Sequence, residues 1–101
     1  MILVTARVVI QPEHRDTVQA VLVEVQAASR LDDGCESYGY FESIDEPNVF
    51  SAIEMWRDRD ALGAHLRQPH IRKLVEALGR YTAAPPEIVA HTVTASGPLR
   101  G

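Results

Sequence analysis

Cysteine is nearly absent from this chain: Cys35 is the single one among 101 residues. No intramolecular disulfide can form, and no cysteine cluster can hold zinc. Positive charge is also scarce, with ten Lys and Arg against 14 Asp and Glu and a formal net charge of −4. That balance argues against a general affinity for nucleic acid, which needs a basic face to neutralise phosphates. Long apolar runs are missing as well. Arg7 and Gln11 interrupt the apolar start, so neither a membrane span nor a signal segment with a small-residue cleavage site is expected, and the expected location is the cytoplasm. Low-complexity segments and linkers are lacking, which leaves one domain as the reading of a chain this long. What is present is ordinary for a folded domain: 46% hydrophobic and 24% charged residues.

The apolar pattern predicts six main elements. Residues 1–10 are rich in Ile, Val and Leu and read as a strand, ended by Pro12, which cannot donate to a ladder. Residues 13–30 read as a helix, with Val18, Val21, Leu22, Val25 and Ala28 on one stripe. Asp32, Asp33 and Gly34 signal a turn, Gly34 being free to take positive φ. Strands follow at 35–44 and 49–56, joined by a hairpin loop. Asp58 suits a helix cap, and Pro69 splits the next helical region into a short helix, 59 to about 67, and a longer one. The apolar stripe of the second is Ile71, Leu74, Val75 and Leu78. Residues 87–95 read as the last strand and 96–101 as a loose tail, so the domain is expected to be 1–95. The order strand, helix, strand, strand, helix, strand predicts an α+β ferredoxin-like βαββαβ fold, an antiparallel sheet with its helices on one face.

A partner copy is expected from the first strand. Ile2, Val4, Val8 and Ile10 share one face, but Leu3 and Val9 put apolar groups on the other. A sheet with one wet face should alternate apolar and polar, and two helices cover only one face. The same face of a second copy is the simplest cover, giving a homodimer; the plainer alternative is one mildly apolar exposed face.

Chemistry-bearing residues gather around the helix break. His65 and His70 flank Pro69. An imidazole, with an ordinary pKa of about 6.5, suits a general base at neutral pH. Structurally, His65 can equally cap a helix end or fill a half-buried slot, and His70 can cover the first turn of the next helix. A metal held by the pair is not expected: five residues place two side chains about 140° apart on a continuous helix, and no third His or Cys stands nearby. Glu54 can offer a ligand, although an ion pair with an Arg is its expected use. Trp56, the single tryptophan, can stack on an aromatic ligand or simply pack in the core. Tyr38 and Tyr40 share a strand face, as do Phe50, Ala52, Glu54 and Trp56. Cys35 reads as a small filler, and His14 and His91 as structural.

Gly34-Cys35 with Tyr38, then Glu54 and Trp56, then His65 and Pro69-His70, in this order and on these elements, resemble the antibiotic biosynthesis monooxygenase family of dimeric α+β barrels. The resemblance covers the chain apart from its tail. It implies a pocket in each subunit between sheet and helices. Some members oxidise polycyclic phenols or quinols with dioxygen and without metal, flavin or haem; others degrade haem, and at least one handles a small sugar-derived signal. The haem-degrading members carry an Asn in the first strand, a Trp early in the second helical region and a His near its end. Here the first strand has no Asn, His65 falls at or near the Trp position, and no His lies around Val75. The expectation is a cofactor-independent monooxygenase acting on a small aromatic substrate. His65 or His70 would be the base, and Trp56, Tyr38 and Glu54 would contact the substrate. A non-catalytic or stress-related binding dimer and a cofactor-free isomerase of a small carbonyl compound remain as alternatives.

Overall fold

Alternating apolar residues form β1 (Ile2–Val9) in the computed structural model, which describes residues 1–100. Ile2, Val4 and Val8 are buried on one face, while Leu3, Thr5, Arg7 and Val9 stay partly open on the other. Ile10 leaves the ladder and pairs only as an isolated bridge with Thr82. Pro12 then opens a 3-10 turn, Pro12–His14, so that α1 (Arg15–Ser29) starts two residues later than the sequence suggests. Val18, Leu22 and Val25 are its buried stripe, and Val21 and Ala28 lie at the stripe's margin.

β2 (Cys35–Glu42) and β3 (Val49–Trp56) form the expected hairpin, although β2 ends two residues short of Ile44. α2 (Arg59–Leu66) is capped by Asp58, whose side chain accepts from Ala61 N at 2.8 Å. Pro69 has no N–H to continue that helix and instead occupies the first turn of α3 (Pro69–Tyr81). Ile71 is buried and Leu74 and Leu78 partly so; Val75 shares their side of α3 but is exposed, because it borders an open cavity between α3 and the sheet. β4 (Glu87–Thr92) is shorter than the expected 87–95 and exposed along its whole length.

The sheet order is β2-β3-β1-β4, with every neighbouring pair antiparallel. This is the α+β ferredoxin-like order expected from the sequence, with the helices on one face. The register places Phe50, Ala52, Glu54 and Trp56 of β3 on the same side as Ile2, Val4, Ala6 and Val8, beneath the helices. A bulge between Cys35 and Ser37 brings Tyr38 opposite Glu54, so both tyrosines face the helices too. Among the described residues no helix is long and apolar enough to cross a membrane.

Candidate active site between the sheet and the helix break

The α1–β2 turn places the first functional group. Gly34 has φ +80, and a Cβ there would run into the Cβ of Ala61 at the start of α2. Only glycine lets the turn lie this close to the helix. Backbone bonds from Cys35 N to Asp32 O (3.1 Å) and from Arg57 N to Gly34 O (2.8 Å) hold it there. Asp32 is thereby carried to the α2–α3 break, 33 and 38 positions away from the two histidines.

Asp32 Oδ2 accepts two imidazole N–H groups: from His65 Nδ1 at 2.7 Å and from His70 Nε2 at 2.8 Å. Holding the proton of His65 on Nδ1 leaves Nε2 as the basic nitrogen. His65 is 2% exposed. Burial lowers its pKa, and the Asp32 carboxylate works in the opposite sense. The imidazole lies against the Trp56 indole, ring centroids 4.3 Å apart.

The angular objection to bringing the histidines together applies to a continuous helix, and Pro69 removes it. The missing third ligand is also found: Asp32, a residue the sequence reading passed over as part of a turn. The ligand atoms of Asp32, His65 and His70 lie within 4.8 Å of one another, a set able to hold a divalent cation. With both imidazoles bonded to one oxygen, the three side chains form a single hydrogen-bonded cluster.

Glu54 corrects a second expectation. Among the described residues it pairs with no arginine. It is 8% exposed and its Oε1 accepts the Trp56 Nε1 proton at 2.9 Å. Burial pushes its pKa up, against the smaller effect of the Trp56 hydrogen bond. Trp56 is completely buried, and its indole is occupied by Glu54 on its N–H and His65 on its face. It does not border the cavity, so it supports the two titratable groups and leaves no face for stacking on a ligand.

That cavity measures about 140 Å³ and is mostly apolar. Tyr38, Tyr40, Glu54 and His65 supply its polar wall, and Leu66, Val75 and Ile88, all exposed, surround its opening. The Tyr38 and Tyr40 hydroxyls bond to each other at 2.8 Å. Burial, with a lesser push from Glu54, holds the Tyr38 phenol up at about 12, and burial raises Tyr40 further. Both phenols therefore stay protonated and serve as hydrogen-bond groups. Of the sequence-derived candidates, Tyr38, Glu54 and His65 meet at the cavity, while His70 and Trp56 stand behind its wall. Tyr40, through the period of two, and Asp32 complete the set. A turn carboxylate gives no sequence signal of its own, because only the fold shows what it faces. Cys35 is partly buried, with burial raising its thiol pKa, which suits a filler.

Comparison with known proteins agrees with this architecture. Residues 1–77 match the family model described as antibiotic biosynthesis monooxygenase. The Mycobacterium tuberculosis protein named "Putative monooxygenase Rv0793" is 34% identical over 92 residues, covering 91% of this chain and 87% of its own. Its solved structure superposes with a TM-score of 0.89, covering 96% of this chain and 98% of that one at 27% identity. A Synechocystis protein of uncharacterised activity, sll1783, is 30% identical over 92 residues, which are 91% of this chain but 63% of that longer relative. A Deinococcus radiodurans structure at 24% identity shares the fold over the full length of both chains, with a TM-score of 0.92. The chain belongs to the antibiotic biosynthesis monooxygenase family.

Proposed function

We propose that this protein is a cofactor-independent monooxygenase that oxidises a phenolic or quinol-like small molecule with dioxygen, and that it works as a homodimer. The observation that carries the reading is the 2.7 Å bond from His65 Nδ1 to Asp32 on the wall of an apolar cavity. It supplies an oriented, neutral imidazole where a ring hydroxyl would bind. Nε2 takes the hydroxyl proton, and the ring becomes electron-rich enough to react with dioxygen. A phenol and dioxygen then give a quinone and water, with all four electrons coming from the ring. The Tyr38 and Tyr40 hydroxyls, 2.8 Å apart on the cavity wall, would bond an oxygen of the substrate. His70 acts through Asp32, as a positioning residue.

Dioxygen uptake by the purified protein with a single-ring hydroquinone, corrected for spontaneous oxidation, tests this. Uptake that exceeds the background and falls in the His65→Ala variant supports the reading. Equal uptake by wild type and variant, on a substrate the wild type turns over, removes His65 from the role of base.

A further inference from the structure

The cavity holds a second titratable side chain that the oxidation does not use. Glu54 rises from the sheet, whereas His65 descends from α2, so the two reach the same space from opposite walls. Oε1 of Glu54 is committed to the Trp56 N–H, which leaves Oε2 to carry a proton. Nδ1 of His65 is committed to Asp32, which leaves Nε2 to receive one. Among the described residues no Lys or Arg borders the cavity, and Tyr38 and Tyr40 are its other titratable groups. A ligand with its own negative charge would be buried beside Glu54 without a counter-ion, which is strongly unfavourable. Size narrows the ligand further. A cavity of about 150 Å³ admits benzene, and this one is about 140 Å³.

We infer that Glu54 and His65 form an acid–base pair, and that the protein is a keto–enol tautomerase of uncharged, single-ring carbonyl compounds. The assignment rests on the proposed role of His65 as base but needs no dioxygen. His65 Nε2 takes the proton from the carbon next to the carbonyl, and those C–H electrons form the C=C bond. The carbonyl oxygen receives the Oε2 proton of Glu54, giving the enol, an imidazolium and a carboxylate. Reversal restores the ketone, with a solvent proton on carbon once the imidazolium has exchanged. Nothing is oxidised or reduced. Burial favours the neutral form of both groups, the state in which one donates and the other accepts. Trp56, touching both, holds the pair in place.

The test is hydrogen exchange in heavy water, under argon, with cyclohexanone and cyclohexane-1,2-dione as probes and NMR as the readout. The wild type is expected to speed exchange at the carbon next to the carbonyl. His65→Ala should lower that acceleration by a factor of about 10² to 10⁴. Glu54→Gln keeps an acceptor for Trp56 but has no proton of suitable acidity, and should lose at least about tenfold. Its melting temperature shows whether it has folded, and loss of the protonated-carboxyl infrared band, relative to wild type, shows that Glu54 carried the proton. A ring carboxylate such as 3-oxocyclohexanecarboxylate should exchange no faster than in buffer. No acceleration of either neutral probe by the wild type overturns the activity. Full activity of a folded Glu54→Gln overturns the acid assignment. Exchange without any dioxygen uptake leaves the tautomerase standing while removing the oxygenase, and uptake without exchange does the reverse.

Discussion

Asp32 and His65 stand 33 residues apart in sequence and 2.7 Å apart in space, joined through the nitrogen that faces away from the basic one. The carboxylate raises the basicity of the imidazole, while burial, the larger effect, lowers it. Replacing Asp32 by Asn removes the raising effect and keeps an acceptor for the Nδ1 proton. The acid limb of kcat/KM is therefore expected to move to lower pH, and the plateau rate to fall as Nε2 becomes a weaker base. His65→Ala should cost a factor of about 10² to 10⁴ in rate. His70→Ala, which leaves the Asp32–His65 bond in place, should cost less. A pH profile of Asp32→Asn that superimposes on the wild type would detach Asp32 from the base.

Gly34→Ala tests how Asp32 is delivered. A left-handed backbone costs a non-glycine residue about 1–2 kcal/mol, and here the new methyl also meets Ala61. The expected outcome is a lower denaturant midpoint by at least that free energy, with the turn pushed away from α2. Because Asp32 rides on the same turn, activity should fall more than His70→Ala makes it fall. Wild-type stability in Gly34→Ala would show that the turn accommodates a side chain.

The fold was legible because its determinants are local and periodic. Ile2, Val4 and Val8 announce the buried face of β1 by alternation, and Pro69 marks the break between α2 and α3 whatever surrounds it. The site was half legible. Tyr38, Glu54 and His65 carry chemistry that draws notice, and each does reach the cavity. Asp32 lay hidden because a turn aspartate is common and its meaning comes from a partner 33 positions away. Glu54 was misjudged for a related reason: an ionised buried carboxylate calls for an arginine, but a raised pKa and an indole N–H serve instead. Val75 fits the helical period yet stays exposed at the mouth of the cavity, which periodicity alone cannot show.

Association is expected through the sheet face opposite the helices. Ile53 and Val89 are 48% and 49% exposed there, around a concavity that also includes Thr5 and Arg7. Sedimentation equilibrium at micromolar concentration should give twice the chain mass of 11.2 kDa. Ile53→Glu would place an unpaired ion in the buried seam. It should yield a folded monomer, or a dimer weakened by orders of magnitude. A wild-type monomer with native circular dichroism contradicts the pairing.

Chelation separates the two uses of the Asp32, His65 and His70 cluster. As a hydrogen-bonded cluster it needs no ion, so exhaustive treatment with EDTA should leave the oxidation rate and the melting temperature unchanged. Elemental analysis of purified protein should find no stoichiometric transition metal. Zinc added afterwards should inhibit, because binding at Nδ1 of His65 displaces the bond to Asp32. Loss of activity with EDTA, restored by a metal, would make the cluster a metal site and the cofactor-independent reading wrong.

Trp56 offers a direct view of the proton on His65, since the indole and imidazole are in contact, with centroids 4.3 Å apart, and no other tryptophan is present. A protonated imidazole quenches a neighbouring indole, so emission should fall as His65 gains its charge. Burial holds the folded-state pKa below the ordinary value of 6.5, and the fluorescence midpoint should therefore lie below 6.5. The same shift fixes the sign of the stability change. Unfolding returns His65 to its ordinary pKa, so below about pH 6.5 the unfolded chain binds the proton more readily than the folded one. Stability at this group is thus greatest above 6.5, falls on acidification and levels off once the folded histidine is also protonated. Glu54 also titrates beside this indole, and His65→Gln separates the two. The variant should lose the fluorescence step assigned to His65 and flatten the fall in melting temperature on acidification below pH 6.5. A midpoint at or above 6.5, or a step that survives in His65→Gln, would mean that burial does not keep this imidazole neutral, and the base would then be charged where the chemistry needs it free.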